Sequence, residues 1–116
     1  MAQPINIARI PVTIANSTAL SPEVDIGAQQ LVGIAMPAAW NAAALTFQVS
    51  VDGVTWIELQ NASGVETYTA AAGQYIAVTL ANWRGITALK VRSGTAGSPV
   101  NQGAGCTLTL ICRVVT

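Results

Sequence analysis

The stretch FQVSVDGVTWIEL, residues 47–59, decides the fold. Phe47, Val49 and Val51 alternate with Gln48 and Ser50, the period-2 pattern of a strand with one covered face. Asp52-Gly53 then supplies a pair that tolerates the backbone conformations of a tight reversal, and VTWIEL returns, so the stretch reads as a β-hairpin. Depending on the turn register, Trp56 lies across from Gln48 or from Val49. On the Val49 register it joins Phe47 and Val49 on the apolar side, and it is expected there, as a buried core residue.

The same alternation recurs on both sides of the hairpin. IARIPVTI sets Ile10, Val12 and Ile14 on one side, with Pro11 suited to an edge strand because proline has no N–H to give a ladder. PEVDI, LVGIAM, VETYTA, YIAVTL, ALKVRS and CTLTLICRVV are further strand candidates, each bounded by turn residues. PAAWNAAA, residues 37–44, has the helical propensity of alanine but is short and opens on Pro37, so it reads as a crossing loop. SGTAGSPVNQGAG, residues 93–105, is too rich in glycine for regular structure, and a loop of that length in a compact domain is commonly functional or disordered. About eight or nine short strands predict an all-β fold, an antiparallel, jelly-roll-like β-sandwich. Residues 1–116 are expected to form one domain, with an extended N-terminal arm at about residues 1–8. Removing the first ten residues is expected to leave the domain folded.

Composition narrows the role. Charged residues make up 9% of the chain, against roughly 25% in an ordinary soluble domain, and five basic residues cancel five acidic ones. With little long-range repulsion to hold copies apart, the chain is expected to self-associate as a homo-oligomer and to serve as a subunit of an assembly. Arg9, Arg84, Lys90, Arg92 and Arg113 are scattered, not clustered as phosphate binding requires, so no nucleic-acid partner is expected. No segment approaches the roughly 20 apolar residues of a membrane span, and MAQPINIARIP has no signal-peptide pattern, so no membrane partner and no secretory route are expected. Cys106 and Cys112 lie on the same side of one strand candidate, about 20 Å apart at about 3.3 Å per residue, too far for a disulfide with each other. They read as buried free thiols, with a bridge to a neighbouring subunit open only if one reaches the surface.

The absence of histidine removes the commonest general base, the usual catalytic triad and most zinc sites. No catalytic, cofactor-binding or metal-binding residue is assigned, and the chain is expected not to be an enzyme. Glu23 and Asp25, two apart in a strand candidate, point the same way, which a calcium ion or an acid/base pair can use but which solvated charges explain as well. Lys90 and Arg92 share the outward side of ALKVRS, with Arg84 upstream. Together with Pro99, Val100 and Asn101 of the long loop they are candidate contacts for a protein partner, charges at an interface rim serving to set orientation. Trp40 and Trp83, with Asn82, Asn41 and Gln74 nearby in sequence, are candidate glycan contacts, since an indole offers a flat apolar face to a sugar ring. Tryptophans that plug the ends of a sandwich are the plainer account of both.

FQVSVDGVTW resembles the hairpin of discoidin-type domains, which belong to the galactose-binding-like jelly rolls, and it is similar to the Asp-box of sialidases, one residue shorter between Asp52 and Gly53. A longer set, MPAAWNAAALTFQVSVDGVTWIEL, AAGQYIAV and WRGITALKVRSGTAGSPVNQGAGCTLTL, resembles small β-sandwich virion proteins of tailed bacteriophages. That resemblance implies a structural role on the virion surface, after synthesis in the host bacterial cytoplasm. A capsid decoration (cement) protein or a head-fibre base would have the major capsid protein or another virion protein as partner. The alternative is a carbohydrate-binding adhesion module on the virion that contacts host glycans.

Overall fold

A computed structural model describes residues 7–27 and 29–114. Its strands are β1 (Ile7–Ile14), β2 (Val24–Asp25), β3 (Gln29–Ala35), β4 (Leu45–Ser50), β5 (Ile57–Glu58), β6 (Gln60–Asn61), β7 (Gly64–Val65), β8 (Tyr75–Ala77), β9 (Ala88–Ser93) and β10 (Cys106–Val114), with a single 3₁₀ turn at Leu80–Trp83 among the described residues. They form an all-β sandwich of two four-stranded antiparallel sheets, ordered β1-β10-β3-β8 and β2-β9-β4-β5, with β6-β7 as a small separate hairpin.

Alternation places the core between the sheets. Val12 and Ile14 of β1, with Cys106, Leu108, Leu110 and Cys112 of β10, face Leu45, Phe47 and Val49 of β4 and Leu89 and Val91 of β9, and all are buried. β3 manages this only through a bulge. Leu110 pairs with Ile34 but Cys112 pairs with Leu31, the register shifting between Ile111 and Cys112. The inserted residue keeps both Ile34 and Leu31 on the core side, where strict alternation would have turned one of them to solvent. Both cysteines are free and buried, as their spacing predicts. Burial pushes the Cys112 thiol up to about 11.

Pro11 lies on an edge strand, as expected, because β1 has β10 on one side only. The N-terminal arm needs correction: Ile7 and Ala8 already pair with Arg113 and Cys112, so the strand starts inside the segment assigned to the arm, and residues 1–6 lie outside the described residues. Cutting after residue ten would remove half of β1 from its sheet. VETYTA is also less regular than its alternation predicts. It holds the end of β7 and a single bridge, Leu45 with Tyr68, because Glu66 and Tyr68 turn into a buried polar cluster instead of extending a ladder.

The opening hairpin exists, but its turn is longer than two residues. β4 and β5 pair Gln48 with Glu58 and Val49 with Ile57, leaving residues 51–56 as the tip. Asp52 Oδ1 accepts the N–H of Val54 at 2.8 Å and of Thr55 at 2.9 Å, while Ser50 Oγ accepts the N–H of Gly53 at 2.7 Å. Gly53 takes φ +80°, a left-handed conformation that glycine tolerates without strain. Trp56 therefore falls outside the paired segment and is half-buried on the outer face, not in the core. Lys90 Nζ stands 4.5 Å from its ring centroid, a cation–π contact.

Candidate functional site

The sandwich presents two ends and two outer faces. At the end where β4 begins, the loops 37–44 and 93–105 are sealed together by Gln102, which is 0% exposed. Its Oε1 accepts the N–H of Asn41 at 2.8 Å, and its Nε2 donates to Asn41 O at 3.2 Å and to Ser93 Oγ at 2.8 Å. Gly94 takes φ +87°, and a Cβ there would meet Ser98 O at 2.5 Å, so the tight return from Gly94 to Pro99 requires glycine. The glycine-rich loop is thereby an ordered cover. Pro99 and Asn101 are exposed on it, Val100 half-buried, and Val100 N–H donates to Ser93 O at 2.9 Å.

On the outer face of β9 the basic stripe has the predicted direction but not the predicted availability. Arg92 is 7% exposed, and its guanidinium makes a bidentate pair with Glu58, Nη1 to Oε1 at 2.6 Å and Nη2 to Oε2 at 2.7 Å. The pairing holds the Glu58 carboxyl below its usual range and raises Arg92, so the buried Arg92 charge is spent on a half-buried partner within the chain. Lys90 is occupied with Trp56, and Arg84 is exposed at the opposite end of the sandwich from Pro99. The six candidate partner residues thus divide among an end loop, a sheet face and the other end.

The tryptophans selected as glycan contacts are plugs. Trp83 is 1% exposed, packs edge-on against Phe47 at 4.8 Å between ring centroids, and donates Nε1–H to Tyr68 Oη at 3.0 Å. Tyr68 in turn donates to the buried Glu66, which also accepts from Asn61 and, at 3.0 Å, from Asn82 Nδ2. Burial pushes the Glu66 carboxyl up, but these three donors outweigh it and leave it below the usual 4.5. Trp40 is 8% exposed, with its Nε1–H on Ala43 O at 3.3 Å. Asn41 and Gln74 are exposed.

The end where β4 finishes is different. Ala88 pairs with Asp25 on one side and Ser50 on the other, which carries Glu23, Asp25 and Asp52 to one cleft of about 340 Å³ beside Thr87. Each of these carboxylates is exposed, and among the described residues none meets a cation. Thr87 also borders a second cleft of about 340 Å³, walled by Trp83, Ile86, Gln29 and Arg84. Gln29 Oε1 is buried there without a hydrogen-bond partner among the described residues. Glu23 and Asp25 are legible as a pair from their spacing. Their meeting with Asp52 is not, since it depends on which strands flank β9.

No protein-family model and no curated protein sequence matches the chain. Solved structures do. The chain is similar to the SPBc2 prophage-derived protein YomS, at 13% identity over 97% of both chains with a TM-score of 0.57, which establishes a shared fold. It also aligns with an F5/8 type C domain from Bacteroides fragilis, at 13% identity over 83% of this chain and 64% of that one with a TM-score of 0.47. A third match is the Yersinia pseudotuberculosis-derived mitogen, at 15% identity, 97% and 88% coverage and a TM-score of 0.44.

Proposed function

We propose that this chain is a non-enzymatic virion protein of a tailed bacteriophage, which binds the capsid lattice or another virion protein through uncharged faces and so stabilises the particle. The observation that carries this reading is the outer face of the β1-β10-β3-β8 sheet. Pro11, Thr13, Thr107, Thr109, Ile111, Ala35 and Tyr75 alternate with the core residues there, and Arg9 and Arg113 are confined to one margin. Such a face offers apolar and hydroxyl surface with few ions to desolvate. At about 25 cal/mol per Å² of apolar area, a modest contact per copy becomes firm when many copies engage a repeating lattice. A protein that binds only the assembled state stabilises it by mass action.

Support also comes from the whole-length fold likeness to a prophage-derived protein and from the resemblance of the hairpin and loop segments to phage virion proteins. The alternative, a glycan-binding adhesion module, is less favoured because Trp40 and Trp83 are covered and Trp56 already carries Lys90. Quantitative mass spectrometry of purified virions from the phage or prophage that encodes the chain tests the proposal. The chain is expected in fixed proportion to the major capsid protein, and its absence from the particle would defeat the reading.

A further inference from the structure

The charges of this molecule are sorted. Of the five side-chain carboxylates, Glu58 is paired with Arg92 and Glu66 is sunk in hydrogen bonds, and the remaining three, Glu23, Asp25 and Asp52, converge on one cleft. The tip beside that cleft raises Val51 and Val54 into solvent, Val54 at 80% exposure, and Ser50 and Asp52 hold the tip in shape. Across Thr87 lies the complementary half: an apolar-walled cleft with exposed Arg84 at its rim. A knob with negative charge and a hole with positive charge therefore share one border residue on one end of the sandwich.

We propose that this end is a homotypic interface, in which two copies meet about a two-fold axis near Thr87 and each sets its Val54 tip and acidic cleft against the Arg84 cleft of the other. Two adjacent patches of opposite character become self-complementary under a two-fold rotation, because the rotation lays each over its counterpart on the second copy. Among the described residues none of these four charges is paired within the chain. Second-copy association fits better than docking on an anionic surface such as phosphate or lipid, which the carboxylates beside Arg84 would repel. The contact leaves the β1-β10-β3-β8 face free and stands whether or not the chain belongs to a virion.

The test is sedimentation velocity of the full chain over micromolar concentrations, from low ionic strength to about 0.5 M salt, where exposed charge pairs are screened. Wild type is expected to dimerise, with the dimer weakening as salt rises. Arg84→Glu and Glu23→Arg reverse exposed charges that make no hydrogen bond among the described residues, so both variants should keep the wild-type circular dichroism spectrum. Each alone should weaken the dimer at least about tenfold, as expected for the loss of a rim contact together with new repulsion. Mixed in equal amounts they should pair again, since in the mixed dimer position 23 of each copy once more meets an opposite charge at position 84 of the other. Val54→Lys should also weaken the dimer, since it sets a cation against the Arg84 cleft of the other copy. A wild-type chain that stays monomeric, a dimer that both charge reversals leave intact, or a mixture that fails to recover would each overturn the proposal. Co-sedimentation with phage particles reads the virion role separately, so either idea can fail alone.

Discussion

Where β4 begins, two loops are tied to each other through a buried glutamine whose amide nitrogen and oxygen both find partners within the chain; where β4 ends, three carboxylates and an arginine that make no ion pair among the described residues gather around two open clefts. The two ends cap the same pair of sheets, so the hydrophobic core demands neither arrangement. The contrast teaches that polar satisfaction, more than composition, separates a finished surface from an unfinished one. Glycine-rich 93–105 has the composition of a mobile loop, yet it is the closed side.

Four experiments break or sharpen that contrast. The largest effect is expected for Trp83→Ala, which empties the core beneath the open end and removes the donor to Tyr68; chemical denaturation should show a loss of about 3–5 kcal/mol. Gln102→Leu leaves Asn41 N–H and O without their partner and should cost about 2–3 kcal/mol. In hydrogen exchange this variant should open Asn41 and residues 93–105 while residues 51–56 keep their wild-type rates, and equal acceleration at both ends would erase the distinction. Acidification comes next. Glu66, Glu58 and Asp52 all sit below their usual values in the folded state, so the stability they contribute is present above about pH 4.5 and is lost as pH falls through the folded values. A thermal melting temperature that stays flat from pH 5 to about pH 2 would contradict this. The smallest effect on stability is Val54→Asp, within about 0.5 kcal/mol because the side chain is already in solvent. A larger loss would mean that the tip is packed, not presented.

Most of the fold is legible in the sequence wherever one face of a strand is buried. IARIPVTI, LTFQVS, ALKVRS and CTLTLIC alternate with period 2, and the core residues they predict between the sheets are covered, Ile10 only in part. Trp56 departs from its expected place for a definable reason. The Asp52 and Ser50 side chains add residues to the turn, and a change of turn length moves the returning tryptophan off the ladder, which pattern alone does not reveal. Arg92 lies on the predicted face without being available, because no local signal announces that Glu58, 34 residues away, is in reach on the next strand but one. Gln102 carries no signal at all. Its role depends on two loops meeting, a property of the finished sandwich and not of any window of the chain.

The buried thiols have a practical consequence. With Cys112 fully enclosed and its proton held up to about 11, the folded molecule offers a thiol reagent neither access nor thiolate. Any copy labelled at Cys112 must first have parted its sheets. The native chain, without an introduced probe, therefore carries its own clock for opening: the rate of modification under excess reagent measures how often the interior is exposed, in free solution or within an assembly.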